Sequence, residues 1–197
     1  MLALFFIILA YLFGSINWAI ILCKFAKLPD PRSEGSGNPG ATNVLRFGGK
    51  KLAVLVLLGD VLKGVIPVII ARLFFVHSIG LSIVALAAVL GHMYPIFFRF
   101  QGGKGVATAL GAIIALSWFV GLMVIFTWLI VALIFRFSSL ASMISITLMP
   151  LYLAFCSNSQ YVLPMILLAV IILYRHRGNI KRLLKGEEPK IGKKRRA

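Results

Sequence analysis

Arg99-Phe-Gln-Gly-Gly-Lys-Gly-Val-Ala-Thr108 stands between two apolar runs, residues 79–98 before it and 106–135 after it. Spanning a bilayer takes about 20 predominantly apolar residues, so the first run is long enough to cross and the second is too long for one ordinary crossing. The polar stretch then becomes a short loop at a membrane surface. Gly102, Gly103 and Gly105 allow the main chain to approach a ligand closely, Lys104 adds a positive charge, and a helix starting at Val106 would point its positive end into the same loop. These features suit a phosphate. The pattern is not Walker A, because Gly105 follows Lys104 where that motif needs Ser or Thr. The alternative is a plain glycine turn with a flanking lysine.

Composition sets the class. Of 197 residues 60% are hydrophobic and 13% charged, and the mean hydropathy is +0.99, which describes an integral membrane protein. The length allows one compact helical bundle, so residues 1–197 are expected to form a single membrane-embedded domain. The net charge of +16, from 21 Lys and Arg against five acids, falls mostly between or after the apolar runs. This favours anionic headgroups and anionic substrates, and the absence of a DNA- or RNA-binding motif argues against nucleic acid. Cys23 and Cys156 are expected to be free thiols. The amino terminus lacks a positive n-region, whereas Lys24, Lys27 and Arg32 follow the first run. The first helix is therefore expected to stay, with its N-terminus outside.

In chain order, residues 1–22 form the first span and carry a polar notch, Gly14-Ser-Ile-Asn17, suited to packing on another helix. The segment 24–51 is dense in hydroxyls, amides and turn residues. Ser36, Asn38, Thr42 and Asn43 offer neutral hydrogen-bonding groups, and Arg46, one helical turn after Thr42, offers a planar fork for phosphate. A second span, 52–70, buries Asp60 with Lys63 at i+3, read as a structural ion pair near Asn17 rather than a proton relay. In 79–98, Pro95 kinks or ends the helix and presents His92 near the glycine loop; His92 is either a packed interface histidine or a site residue.

The runs 106–135 and 141–174 are both over-long, and the second would bury Ser157-Asn-Ser-Gln160 at the midplane. Splitting them near 117–121 and 157–160 predicts seven transmembrane helices, with five as the runner-up. Six would place the basic tail outside, against the positive-inside tendency. The expectation is an all-α, polytopic bundle with cytoplasmic loops 24–51, 99–105 and 136–142, the last adding Ser139 and Ser142, and a cytoplasmic tail 175–197. In the tail His176 and Asn179 lie at i and i+3, and residues 193–196 are suited to acidic lipid.

All polar segments thus fall on one face. A transporter would hold its ligand near the midplane on repeated, broken helices, and no such repeat is visible. An enzyme acting on a small anion and a membrane-soluble partner fits better. The sequence has no Cys–His metal spacing, no G-x-S-x-G elbow and no histidine followed five residues on by aspartate. Its few acids do not cluster as magnesium-dependent phosphotransfer would want. No metal or cofactor is expected, and the oligomeric state is left open.

Three stretches closely resemble the signature regions of the bacterial acyl-phosphate:glycerol-3-phosphate acyltransferases, the PlsY family. They are Gly35-Ser-Gly-Asn-Pro-Gly-Ala-Thr-Asn-Val-Leu-Arg46, then Gly91-His-Met-Tyr-Pro-Ile-Phe through Gly102-Gly-Lys-Gly-Val-Ala-Thr108, and His176-Arg-Gly-Asn-Ile-Lys-Arg-Leu-Leu-Lys-Gly-Glu-Glu-Pro-Lys190. The resemblance implies transfer of a fatty acyl group from acyl-phosphate to the 1-hydroxyl of glycerol 3-phosphate, the first step of phospholipid synthesis, at the cytoplasmic face of the bacterial inner membrane. Acyl-CoA and acyl carrier protein would not be donors. On this reading Lys104, Arg46, His176 and Asn179 are catalytic. Ser36, Asn38, Thr42, Asn43, Gly102, Gly103, Gly105, Thr108 and Ser142 bind substrate, and Glu188 and Asp60 are structural. Either His176 or a substrate phosphate oxygen would take the hydroxyl proton. An exporter of phosphorylated metabolites is the alternative.

Overall fold

The computed structural model describes residues 1–192, and among these every regular element is helical. Ten α-helices and two short 3₁₀ turns fall into two compact units, one ending at Leu116 and one beginning at Ser117.

In the first unit, α1 (Leu2–Gly14) and α2 (Trp18–Phe25) form one apolar stretch broken at the polar notch. The break has a local cause. Ser15 donates its hydroxyl to the Tyr11 carbonyl, and the Asn17 carboxamide accepts from the Ile20 amide at 3.2 Å, capping α2. After the long loop come α3 (Ala41–Phe47), α4 (Gly49–Leu73), α5 (Ser78–Met93) and α6 (Val106–Leu116). Helix pairs in lipid associate by close backbone approach at small residues rather than by hydrophobic expulsion from water. Gly14 of α1 lies on the Ala88 carbonyl of α5, Gly91 of α5 lies on the Tyr11 carbonyl, and Gly64 of α4 and Gly111 of α6 each lie on a carbonyl of the other helix, so a Cβ at any of the four would collide with backbone. A small apolar core of Ala19, Cys23, Val44 and Val56 ties α2, α3 and α4 together near the loop.

Pro95 lacks an N–H, and α5 stops at Met93. A 3₁₀ turn, Ile96–Phe98, follows, then Arg99 and Phe100 in the left-handed region (φ 56° and 57°). This reversal carries the chain into the glycine loop and on to α6.

The second unit holds α7 (Trp118–Phe135), α8 (Ser138–Cys156), α9 (Val162–Arg175) and α10 (Arg177–Leu184). The α7–α8 pair is joined by hydrogen bonds from Trp128 Nε1 to Ser142 Oγ (3.1 Å) and between the Thr127 and Tyr152 hydroxyls (2.8 Å). At His176 the axis bends by 56°. The chain after α10 returns to the α7–α8 turn, where the Ile191 amide donates to the Arg136 carbonyl at 2.7 Å.

Both over-long runs are broken where expected, at Ser117 and between Cys156 and Val162. Length and hydropathy by themselves pick out fewer crossings than the seven expected. Among the described residues five helical stretches are long and apolar enough to span a membrane, or six if the bent α9–α10 pair is one span. Seven would require α6 as well, whose 11 residues rise only about 16 Å at 1.5 Å per residue. Large apolar side chains such as Phe5, Leu55, Phe126, Leu133 and Phe155 are exposed, as lipid-facing surfaces require. Both cysteines are free, Cys23 buried and Cys156 exposed.

Candidate active site

In the first unit the loop between α2 and α3 is organised by two side chains. Arg32 grips Asp30 with both edges of its fork, Nε to Oδ1 at 3.0 Å and a terminal nitrogen to Oδ2 at 2.6 Å. Its other terminal nitrogen reaches the Phe98 carbonyl at 3.4 Å, which links this loop to the turn ahead of the glycines. The Arg32 hydrogen bonds hold the Asp30 carboxyl below the usual carboxylate range, although partial burial opposes them. Asn43 is the second organiser and is almost fully buried. Its Oδ1 accepts the Ser36 amide at 2.8 Å, and its Nδ2 donates to the Pro31 and Glu34 carbonyls, both at 2.9 Å. Three hydrogen bonds of one carboxamide shape the loop that presents Ser36, so the structure gives Asn43 an internal task. Around this frame Ser36, Thr42 and Arg46 are exposed and Asn38 is half-buried. Thr42 and Arg46 share one face of α3, four residues apart.

The glycine loop folds back over the end of α5. A Cβ on Gly102 would fall on the His92 carbonyl and within 2.6 Å of Pro95 Cδ, one on Gly103 would fall on the His92 ring, and one on Gly105 would lie 2.6 Å from Met93 Cε. Gly105 also has φ +87°. Close approach to α5 therefore requires all three glycines, independently of any ligand. The Gly103 amide donates to the His92 carbonyl at 3.2 Å. Lys104, between the buried Gly103 and Gly105, is half-buried. Thr108 lies within α6, fully buried, and its hydroxyl makes no hydrogen bond among the described residues.

In the second unit, His176 sits at the α9–α10 bend, 2% exposed, with Nδ1 2.8 Å from the Ile172 carbonyl. That contact fixes the ring orientation and places the proton-bearing nitrogen at Nδ1, leaving Nε2 as the acceptor in the neutral form. Asn179, one turn on, donates Nδ2 to Glu188 Oε1 at 2.7 Å, which leaves its Oδ1 as an acceptor. Ser139 donates to the same Glu188 oxygen at 2.5 Å and Arg182 donates Nε to the other at 2.7 Å. Burial works to raise the Glu188 carboxyl, and the Ser139, Asn179 and Arg182 donors outweigh it, holding the group below its ordinary value. Ser142 is buried in the α7–α8 contact, donating to the Ser138 carbonyl at 2.8 Å and accepting from Trp128. The basic residues 193–196, assigned to acidic lipid, lie outside the described residues.

Several partners were not legible in the sequence. Asp30 and Arg32 stand two positions apart in a polar loop with nothing to mark them, and Ser139 and Arg182 reach Glu188 across 49 and 6 residues. Among the described residues no three of His, Cys, Asp and Glu gather as metal ligands.

The class defined so far is an all-helical, multi-pass integral membrane protein with polar loops built by internal hydrogen bonds. Residues 4–186 match the family model described as glycerol-3-phosphate acyltransferase, and the chain belongs to that family. A glycerol-3-phosphate acyltransferase of Thioalkalivibrio sulfidiphilus is 54% identical over 186 residues, covering 94% of this chain and 92% of its own. One from Vibrio cholerae is 55% identical over 193 residues, covering 98% and 92%. A crystal structure of PlsY (YgiH), an integral membrane glycerol 3-phosphate acyltransferase in its glycerol 3-phosphate form, superposes with a TM-score of 0.91 at 47% identity, covering 96% of each chain. Its lysophosphatidic acid form gives a TM-score of 0.90.

Proposed function

We propose that this protein transfers a fatty acyl group from acyl-phosphate to the 1-hydroxyl of glycerol 3-phosphate, releasing inorganic phosphate. The hydroxyl oxygen attacks the acyl carbonyl carbon, and the bond from that carbon to the phosphate oxygen breaks, with the electron pair leaving on phosphate. The hydroxyl proton passes to His176 Nε2 or to a phosphate oxygen. An acyl-phosphate is a mixed anhydride with a good leaving group, so positioning and charge stabilisation account for most of the catalysis.

The observation that carries this reading is the glycine loop, folded tightly against the end of α5 with the half-buried Lys104 between Gly103 and Gly105. Membership of the family, and the glycerol 3-phosphate form of its solved relative, supply the ligand class. Lys104 and Arg46 neutralise phosphate charge, Lys104 on glycerol 3-phosphate. Ser36, Asn38 and Thr42 add hydrogen bonds, Asn43 holds Ser36 in place, and Asn179 Oδ1 orients the hydroxyl or the acyl donor. Ser142 contributes through the α7–α8 contact, and Glu188 holds Asn179.

The chain lies in the bacterial cytoplasmic membrane with α6 counted as a seventh crossing segment, its N-terminus outside and its C-terminus and active site on the cytoplasmic side. The concentration of Lys and Arg in 24–51 and after residue 174 supports that orientation.

Purified protein mixed with an acyl-phosphate and glycerol 3-phosphate is expected to release phosphate only when both are present, and to yield 1-acylglycerol 3-phosphate in equal amount. Phosphate release that ignores glycerol 3-phosphate would refute the reading.

A further inference from the structure

One buried cluster has no task in the scheme above. Asp60 and Lys63 of α4 and His92 of α5 are 2%, 1% and 4% exposed. Lys63 Nζ lies 3.0 Å from Asp60 Oδ1 and donates to the Ile16 carbonyl at 2.6 Å, at the break between α1 and α2. The same Asp60 oxygen lies 3.4 Å from His92 Nδ1. Charges at such depth are costly to bury, and an aspartate and a lysine at i and i+3 could neutralise each other without a histidine. The histidine is what connects the pair to the glycine loop. Its ring occupies the space a Cβ on Gly103 would need, and its carbonyl both receives the Gly103 amide and blocks a side chain at Gly102.

We infer that Asp60, itself held by Lys63, is a positioning residue for the glycine–lysine loop and acts through His92. Lys63 anchors to the α1–α2 break, Asp60 sets the His92 ring from the Nδ1 side, and the other edge of that ring meets Gly103, the residue before Lys104. Rotation of the ring would push directly on the loop backbone, because glycine leaves no side chain to absorb the movement. A misplacement of 1 Å at a substrate-holding group can cost about 100-fold in rate. The cluster therefore governs how well the loop holds an anion. The inference rests on the reading that this loop binds the phosphate of glycerol 3-phosphate.

The test uses the full chain in detergent and begins with the wild type, whose dependence on glycerol 3-phosphate checks that underlying reading separately. Asp60→Asn/Lys63→Met removes both charges together, so no unpaired charge stays buried. A merely structural ion pair predicts wild-type kinetics for this variant. A positioning role predicts retained thermal stability with the apparent KM for glycerol 3-phosphate raised about tenfold or more and the KM for acyl-phosphate unmoved. In a Lys104→Ala background the same double change should add little, because the loop cation it serves is gone. His92→Gln, which keeps a polar group but loses the ring, should shift the same KM. A folded double variant with wild-type KM, or full additivity with Lys104→Ala, overturns the inference. So does failure of both the double variant and His92→Gln to give folded protein, which would mark the cluster as structural alone.

Discussion

Replacing Glu188 with alanine should damage folding of the second unit more than the chemistry. The carboxylate is 7% exposed and accepts from Ser139, Asn179 and Arg182. Ser139 and Asn179 are themselves 8% and 5% exposed, so water cannot readily take the place of the lost oxygens. A buried donor left without an acceptor costs about 1–3 kcal/mol, which gives about 2–6 kcal/mol for these two. The Arg182 side chain is 40% exposed and rehydrates, so its share is close to nothing. Against a typical folding free energy of about 5–15 kcal/mol the loss is large. Glu188→Gln keeps one acceptor oxygen for Ser139 and Asn179 but turns an N–H toward Arg182, and should lose less. The assay is thermal unfolding of detergent-solubilised protein beside phosphate release per mole of folded enzyme. The expected result is a sharp fall in unfolding temperature and yield for the alanine variant, with specific activity of the surviving folded fraction reduced less. A Glu188→Ala protein that unfolds within about a degree of wild type, where each kcal/mol moves the midpoint by several degrees, yet has lost its activity, would refute the reasoning and place Glu188 in the chemistry.

The remaining predictions concern charge and protons. Lys104→Ala removes a charge-assisted contact worth about 1.5–3 kcal/mol, so activity at limiting glycerol 3-phosphate should fall about 10-fold to 150-fold; full activity there would remove the lysine from the site. His176→Gln keeps a polar side chain without a titratable nitrogen, and a single-turnover rate equal to wild type would assign the proton to a substrate phosphate oxygen instead. Because Glu188 has a folded pKa below its ordinary value, the stability it contributes is present above the unfolded pKa of about 4.3 and is lost as pH falls through the lower folded value. The stability gap between wild type and Glu188→Gln, followed by unfolding across pH 3–7, should therefore be full near neutrality and narrow at the acid end of about pH 4 and below. A gap that widens on acidification would contradict the assigned donors.

Much of the architecture could be read from order and spacing. Apolar runs have to become helices in lipid because the backbone must satisfy its own hydrogen bonds there. Two runs were too long to be single crossings, and they break at Ser117 and beyond Cys156, where polar residues make a turn affordable. Pro95 ends α5 because of a missing N–H, a property of that residue alone. Each of these is a local rule, and a local rule needs no neighbours from elsewhere in the chain.

Partner choice is a different matter. Nothing in the spacing of Asp60 and His92, 32 positions apart, says that they meet, and the meeting depends on how α4 and α5 are rotated against each other. Asn43 reads as a ligand group until its carboxamide is found between the Pro31, Glu34 and Ser36 backbones. The glycines around Lys104 suit an anion on paper, and packing supplies a separate reason for them in the His92 ring and carbonyl. The residue order carried the class, the breaks and the set of polar groups, since those follow from periodicity and backbone chemistry. Which of those groups are already engaged by the protein was decided by packing, because a side chain's hydrogen-bond partner is whatever the fold brings within about 3 Å of it.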